Sequence, residues 1–227
     1  MDQRGGISLI YVALMSKTEK PSYARAWEED LNNSWSTAVW YRASTRAYKG
    51  IMNVGLIEAS LKLLVRWYYV PSRLARMFPG TSPQCFRGCE LGGTMYHTWW
   101  SCPRIRAFWK KVFWATGALL GTVISPQPNV ALLNQCIPGL PKLSQSLAFF
   151  ILLGAKMTIA KAWKKPSVSF LAFKRKVSWI MSQEQIVAKC ADQSEKFRSV
   201  WEPWATYCEM SLLPGIQPGG GSTPLHT

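Results

Sequence analysis

Three cysteines and a histidine fall within eighteen residues of one another: Cys85, Cys89, His97 and Cys102, spaced C-x3-C-x7-H-x4-C. Three soft sulfur donors and one imidazole are the donor set of a structural zinc site, in which four protein ligands fill the tetrahedron and leave no position for water. His97 is one of two histidines in the chain, and the other, His226, lies at the far C-terminal end. The competing reading is a set of buried free thiols beside a packed histidine. A catalytic zinc is disfavoured, because no neighbouring carboxylate is placed to act as a base on a bound water.

For the four donors to meet, the chain must reverse between the pairs. Gly92-Gly93 supplies the conformational freedom for that reversal, and Thr94 is placed to cap a short helix carrying His97, Trp99 and Trp100. After Cys102, Pro103 suits the first position of a helix. That helix is expected to run to about Leu120, burying Ile105, Phe108, Trp109, Val112 and Phe113 and presenting Arg104, Arg106, Lys110 and Lys111. Before the window, apolar spacing predicts a helix over 56–70, with Pro71 either ending it or opening the next, then a short helix over 72–78 that presents Arg73 and Arg76. Residues 22–49 read as one or two amphipathic helices broken near Asn32-Asn33-Ser34.

The remaining chain divides by composition. Residues 1–21 read as a flexible arm, 22–120 as a helical region holding the zinc module at about 83–103, and 121–141 as a Pro-rich linker. Residues 142–210 read as a C-terminal helical region, with Ser167 as a cap and a kink at Pro203, and 211–227 as a disordered tail. The apolar run Leu147–Ala155 is too short to span a bilayer and reads as a buried helix segment. The expected fold is mostly α: a helical bundle with a small Cys3His zinc knuckle inserted between helices.

The formal net charge is +15. Charge of that size favours a polyanionic partner. From Leu61 to Lys111 there are nine cations (Lys62, Arg66, Arg73, Arg76, Arg87, Arg104, Arg106, Lys110, Lys111) against one acid, Glu90. A second block, Lys156 to Lys176, holds seven cations and no acid. Solvated helix faces usually mix signs; unopposed blocks suit phosphate contacts. Trp99 and Phe86 are the aromatics expected to stack on bases, and most of the other tryptophans are expected to be core. The three aspartates, Asp2, Asp30 and Asp192, form no pair, so the carboxylate cluster of a two-metal polymerase or nuclease is missing. No phosphate-cradling loop with a lysine and no G-x-S-x-G occurs. The chain therefore reads as non-enzymatic. Scattered Cys136, Cys190 and Cys208 do not form a disulfide framework and fit a reducing compartment, cytoplasmic or nuclear, with no membrane partner.

Several stretches have a familiar wording. Leu61-Lys-Leu-Leu-Val-Arg-Trp-Tyr68, Val70-Pro-Ser-Arg-Leu74, Cys85-Phe-Arg-Gly-Cys89, Gly93-Thr-Met-Tyr-His97 and Trp99-Trp-Ser-Cys102-Pro103 resemble the C-terminal, cysteine-rich region of the second-frame polyprotein of vertebrate LINE-type (non-LTR) retrotransposons. Phe108-Trp109 falls where that family has an aromatic pair. Ala162-Trp-Lys-Lys-Pro166 and Val200-Trp-Glu-Pro-Trp204 are similar to its amphibian and fish versions, so the resemblance covers about 22–205. It implies a reverse-transcriptase zinc-binding module with Cys85, Cys89, His97 and Cys102 as ligands. It also implies a role in binding template RNA and target DNA during target-primed reverse transcription, beside a reverse transcriptase core. The polymerase's Asp-Asp motif is absent here, so that activity does not carry over. The expected function is a non-catalytic, RNA-binding segment, with DNA as a second ligand. Its rivals are a zinc-stabilised protein-interaction module, a cysteine-dependent enzyme and a decayed element fragment without function.

Overall fold

The structure, a computed structural model, describes residues 20–51 and 53–210. The expected arm, apart from Lys20 and Pro21, and the expected tail lie outside the described residues. Among the described residues nine α-helices follow in order: α1 (Ser22–Leu31), α2 (Thr37–Gly50), α3 (Val54–Leu64), α4 (Pro71–Met77), α5 (Pro103–Leu119), α6 (Pro128–Leu132), α7 (Lys142–Lys161), α8 (Phe170–Cys190) and α9 (Ser194–Met210). A π-turn, His97–Ser101, precedes α5. Among the described residues there is no strand, and an isolated antiparallel bridge joins Gln84 to Gly92. The mostly helical fold with a Cys/His cluster between helices is the one the sequence leads to.

α7 is the centre of the bundle. Ten consecutive residues, Leu147 to Lys156, are buried, so the helix is covered around its whole circumference. It packs chiefly on α8 and also meets α9, α5 and α3. The α7–α8 contact is close because Gly154 has no side chain: a Cβ there would lie 2.6 Å from Val177 Cγ2. By length and composition α7 could cross a membrane, but 67% of its most apolar window is buried inside the fold.

Helix ends explain where the observed elements depart from expectation. α3 stops at Leu64, six residues short of the expected 70. Arg66 takes a left-handed conformation (φ 56°), and the amides of Arg66 and Trp67 close back on the carbonyls of Leu63 and Lys62. This is a Schellman-type ending without glycine. Within the expected C-terminal helical region 142–210, two separate helices, α8 and α9, follow α7. Asp192 (φ 51°) lies at the break between them, the Gln193 amide closes on the Ala188 carbonyl, and Pro203 lies inside α9. Ser169, rather than Ser167, caps α8 by accepting from the Ala172 amide.

The Pro-rich stretch 121–141 is not a free linker over its whole length. Val130, Ala131, Leu132, Leu133 and Ile137 join the same core cluster as residues from α1 to α9. A polar hub fixes it there. Asn134 donates to the Ala43 carbonyl and Ser60 Oγ and accepts from Lys156 Nζ at 2.6 Å, while Arg46 donates to Gln145 and to the Asn134 carbonyl. Lys156 is 3% exposed. Burial, with nearby Arg46, brings its ammonium down to about 7. A lysine held neutral in the fold takes up a proton on unfolding throughout the interval between that value and its ordinary one. Stability therefore rises with pH above about 7. The expected result is a melting midpoint that climbs between pH 7 and 9, and a flatter profile for Lys156→Met, both measured by calorimetry.

Candidate metal centre

Three local devices bring the four donors together. The first is a short two-sided ribbon: the Cys85 amide donates to the Leu91 carbonyl (2.9 Å) and the Gly93 amide to the Pro83 carbonyl (2.8 Å). Its tip turns through Gly88 (φ 65°) and Glu90 (φ 62°). The reversal therefore sits at Gly88–Glu90, not at the expected Gly92-Gly93. Gly93 serves close packing instead: a Cβ there would lie 2.5 Å from Pro71 Cγ. The Ser72 amide also donates to the Gly93 carbonyl, which ties the ribbon to the start of α4.

The second device is the cap. Thr94 Oγ1 accepts from the His97 amide at 3.1 Å, as its position suggested. The third is the π-turn. In a regular α-helix, residues five apart point about 140° away from each other. Here the Cys102 amide reaches the His97 carbonyl (2.9 Å), a wider i→i+5 closure. That widening brings His97 and Cys102 to one side. Cys102 then leaves helical geometry, and Pro103 opens α5.

The three sulfurs and one imidazole nitrogen all lie within 4.8 Å of one another. Cys89 Sγ is 3.1 Å from His97 Nε2, and Cys102 Sγ is 3.9 Å from Cys89 Sγ. Metal–sulfur bonds of 2.3 Å at tetrahedral angles place sulfurs about 3.8 Å apart, so the donor set fits a tetrahedral ion with little movement. Cys85, His97 and Cys102 are buried and Cys89 is half-buried. All six cysteines of the chain are free.

The donors differ in their chemistry. Burial would raise the Cys89 thiol, but hydrogen bonds from the Leu91 amide and the Cys85 and Cys102 side chains outweigh it and hold it low. Cys102, the most enclosed, is pushed up by burial to about 11, against a backbone hydrogen bond from Arg104. His97 is lowered by burial and by the charge of Arg87, which keeps the imidazole in its neutral, ligating form.

Arg87 is the residue whose role the sequence concealed. Expected at a phosphate, it is 2% exposed. Its Nη1 donates to the Thr98 carbonyl at 3.3 Å, while Nε and Nη2 have no hydrogen-bond partner. Burial lowers its pKa, and the sulfurs of Cys102, Cys85 and Cys89 oppose that shift. An uncompensated buried guanidinium costs several kcal/mol. A divalent ion with three thiolates and a neutral histidine has a net charge of −1, and Arg87 brings the enclosed group to zero.

The other expected nucleic-acid contacts separate into two sets. Arg66 is spent inside the fold: Nη1 pairs with Asp30 Oδ2 at 2.6 Å, donates to the Ala26 carbonyl, and the guanidinium lies over the Trp27 ring. Lys62 pairs with Glu58 one turn away. Arg73 is half-buried over Tyr69 and donates to the Arg66 carbonyl. Arg76, Arg104, Arg106, Lys110 and Lys111 are exposed, and among the described residues none of them has a carboxylate partner. In the second block Lys156 is core, whereas Lys161, Lys164, Lys165 and Arg175 are exposed. Burial and neighbouring Lys161 lower the pKa of Lys176, so two cations adjoin there. Of the two expected stacking aromatics, Trp99 is core, against Tyr68 and Trp163. Phe86 is half-buried under Lys164 Nζ, 5.5 Å from its ring centroid.

No protein-family model matches the chain.

Proposed function

We propose that the chain is a non-catalytic nucleic-acid-binding module, RNA before DNA, organised by one structural zinc ion. The observation that carries this reading is the junction at Cys102. The last donor of the cluster is followed at once by α5, whose outer face shows Arg104, Arg106, Lys110 and Lys111 with no acid among them. Holding Cys102 in a metal site fixes where that face begins. Zinc suits the donors best: three thiolates and an imidazole in a closed tetrahedron are its common structural set, and it brings no redox chemistry. The resemblance to the C-terminal end of LINE-type reverse transcriptases supports the same reading and suggests a polymerase core as a protein partner. An intracellular, reducing location is part of this proposal, since thiolate ligands must stay reduced.

The test is RNA affinity against salt for the wild-type chain and for Arg104→Ala/Arg106→Ala. Loss of two phosphate contacts should reduce the slope of log K against log salt concentration by about 1.4 for a single strand. Unchanged affinity and slope would remove α5 from the interface. A second reading, a zinc-stabilised docking module, is favoured by exposed Trp67, Met77 and Phe78 around α4. It predicts weak, salt-insensitive RNA binding in the same titration.

A further inference from the structure

At the far end of α5, away from the cluster, Trp114 is 63% exposed, an unusual position for so large an apolar ring. It forms one wall of an open groove of about 1060 Å³. The loop after α5 forms the other wall, with Val123 97% exposed and Ile124 and Pro126 beside it. This loop is held by glycine. Gly121 turns with φ 65°, and a Cβ on Gly117 would strike the Thr122 carbonyl oxygen at 2.5 Å. The Thr122 amide donates back to the Gly117 carbonyl. The slot is therefore a built feature of the backbone.

No acid lines the groove, and Lys110 stands at its edge. Arg106, Lys110 and Trp114 are successive i, i+4 positions on one exposed side of α5, so they rise along the helix in steps of about 6 Å. Two cations lead in line to an uncovered aromatic face. Phosphate–cation contacts combined with base–aromatic stacking are how single-stranded nucleic acid is held without sequence preference. A purely apolar protein segment would gain nothing from Lys110 or from the unopposed cations beside it.

We infer that the Trp114 groove takes an unpaired base, with Arg106 and Lys110 on the adjoining phosphates, which makes the module selective for single strands over duplex. This rests on the nucleic-acid reading above and adds the strand state and the stacking residue. The base enters between the indole and the Val123–Pro126 loop. A duplex, whose bases are already stacked and paired, cannot offer one.

The test compares a single-stranded oligoribonucleotide with a blunt duplex of the same sequence, by fluorescence anisotropy, for wild-type, Trp114→Ala and Trp114→Phe. Trp114 is largely exposed, so both variants should fold, as circular dichroism will check. Stacking is worth about 1–3 kcal/mol per base. Trp114→Ala should thus weaken single-strand binding roughly tenfold with its salt slope unchanged, Trp114→Phe should fall between, and duplex binding should not move. Equal single-strand affinity in wild-type and Trp114→Ala, with salt-dependent binding intact, overturns the stacking groove and leaves the nucleic-acid reading standing. Equal losses on single strand and duplex also overturn it. Absence of any salt-dependent binding by the wild-type chain overturns both.

Discussion

Cys102→Ser should release the metal and lower the melting midpoint by on the order of 10 °C. Cys102 is fully buried and contributes both a sulfur donor and the residue that ends the π-turn. Serine supplies a harder, more basic oxygen that is a poor substitute for thiolate. An ion bound by the folded chain and not by the unfolded one adds its binding free energy to stability, and structural zinc sites are strong enough for that contribution to be large. For a chain of this length each kcal/mol moves the midpoint by about 2–4 °C. Elemental analysis and calorimetry on the same samples test this, with Cys190→Ser as the control, because Cys190 is exposed. Wild-type and Cys102→Ser chains with no metal and the same midpoint would reduce the cluster to packing. Loss of metal without loss of midpoint would mean that the ion decorates a fold already complete.

The second large effect is expected at Arg87, and its sign should depend on the metal. With the ion bound, Arg87→Leu leaves an enclosed net charge of −1 without its counterpart. Groups next to the ligands commonly tune metal affinity by about 10- to 100-fold, and a loss of that size is expected in competition with a chelating dye. With the ion removed by chelation, the same substitution deletes a guanidinium that is 2% exposed and has two unpaired nitrogens. The chelated variant should then be as stable as the chelated wild type, or more so. Arg87→Lys keeps the charge and should recover part of the affinity. Destabilisation of equal size with and without metal would make Arg87 a packing residue that happens to lie near the sulfurs.

These two residues show what the sequence could and could not convey. Cys85, Cys89, His97 and Cys102 stood out because thiols and imidazoles are scarce and their spacing is short. The core face of α5 was legible because Ile105, Phe108, Trp109, Val112 and Phe113 recur at helical intervals behind a proline. Charge type, by contrast, carries no burial information. Arg66, Arg87 and Arg104 read alike, yet the first is in an ion pair over a tryptophan, the second faces sulfur, and the third is exposed. The helix endings at Arg66 and Asp192 were hidden because left-handed residues other than glycine leave little local signature. The proline-rich stretch looked like linker because prolines bound a five-residue helix, Pro128–Leu132, too short to announce its period. Trp114 is one of twelve tryptophans, and nothing in its immediate neighbours distinguishes an uncovered indole from a core one.

The confinement of all four donors to residues 85–102 bears on the order in which the molecule assembles. Closing a loop that short costs little chain entropy, and contacts between near neighbours in sequence form ahead of distant ones. The helices whose cationic faces flank the centre, α4 and α5, adjoin that loop directly on either side. α7, which organises the core, begins only at Lys142, forty residues downstream of Cys102. Ion capture is thus open to a chain still emerging from the ribosome, before the bundle's central helix has been synthesised. A cell short of the ion would meet its effect first as a failure of nascent chains, and only later as a defect in finished protein.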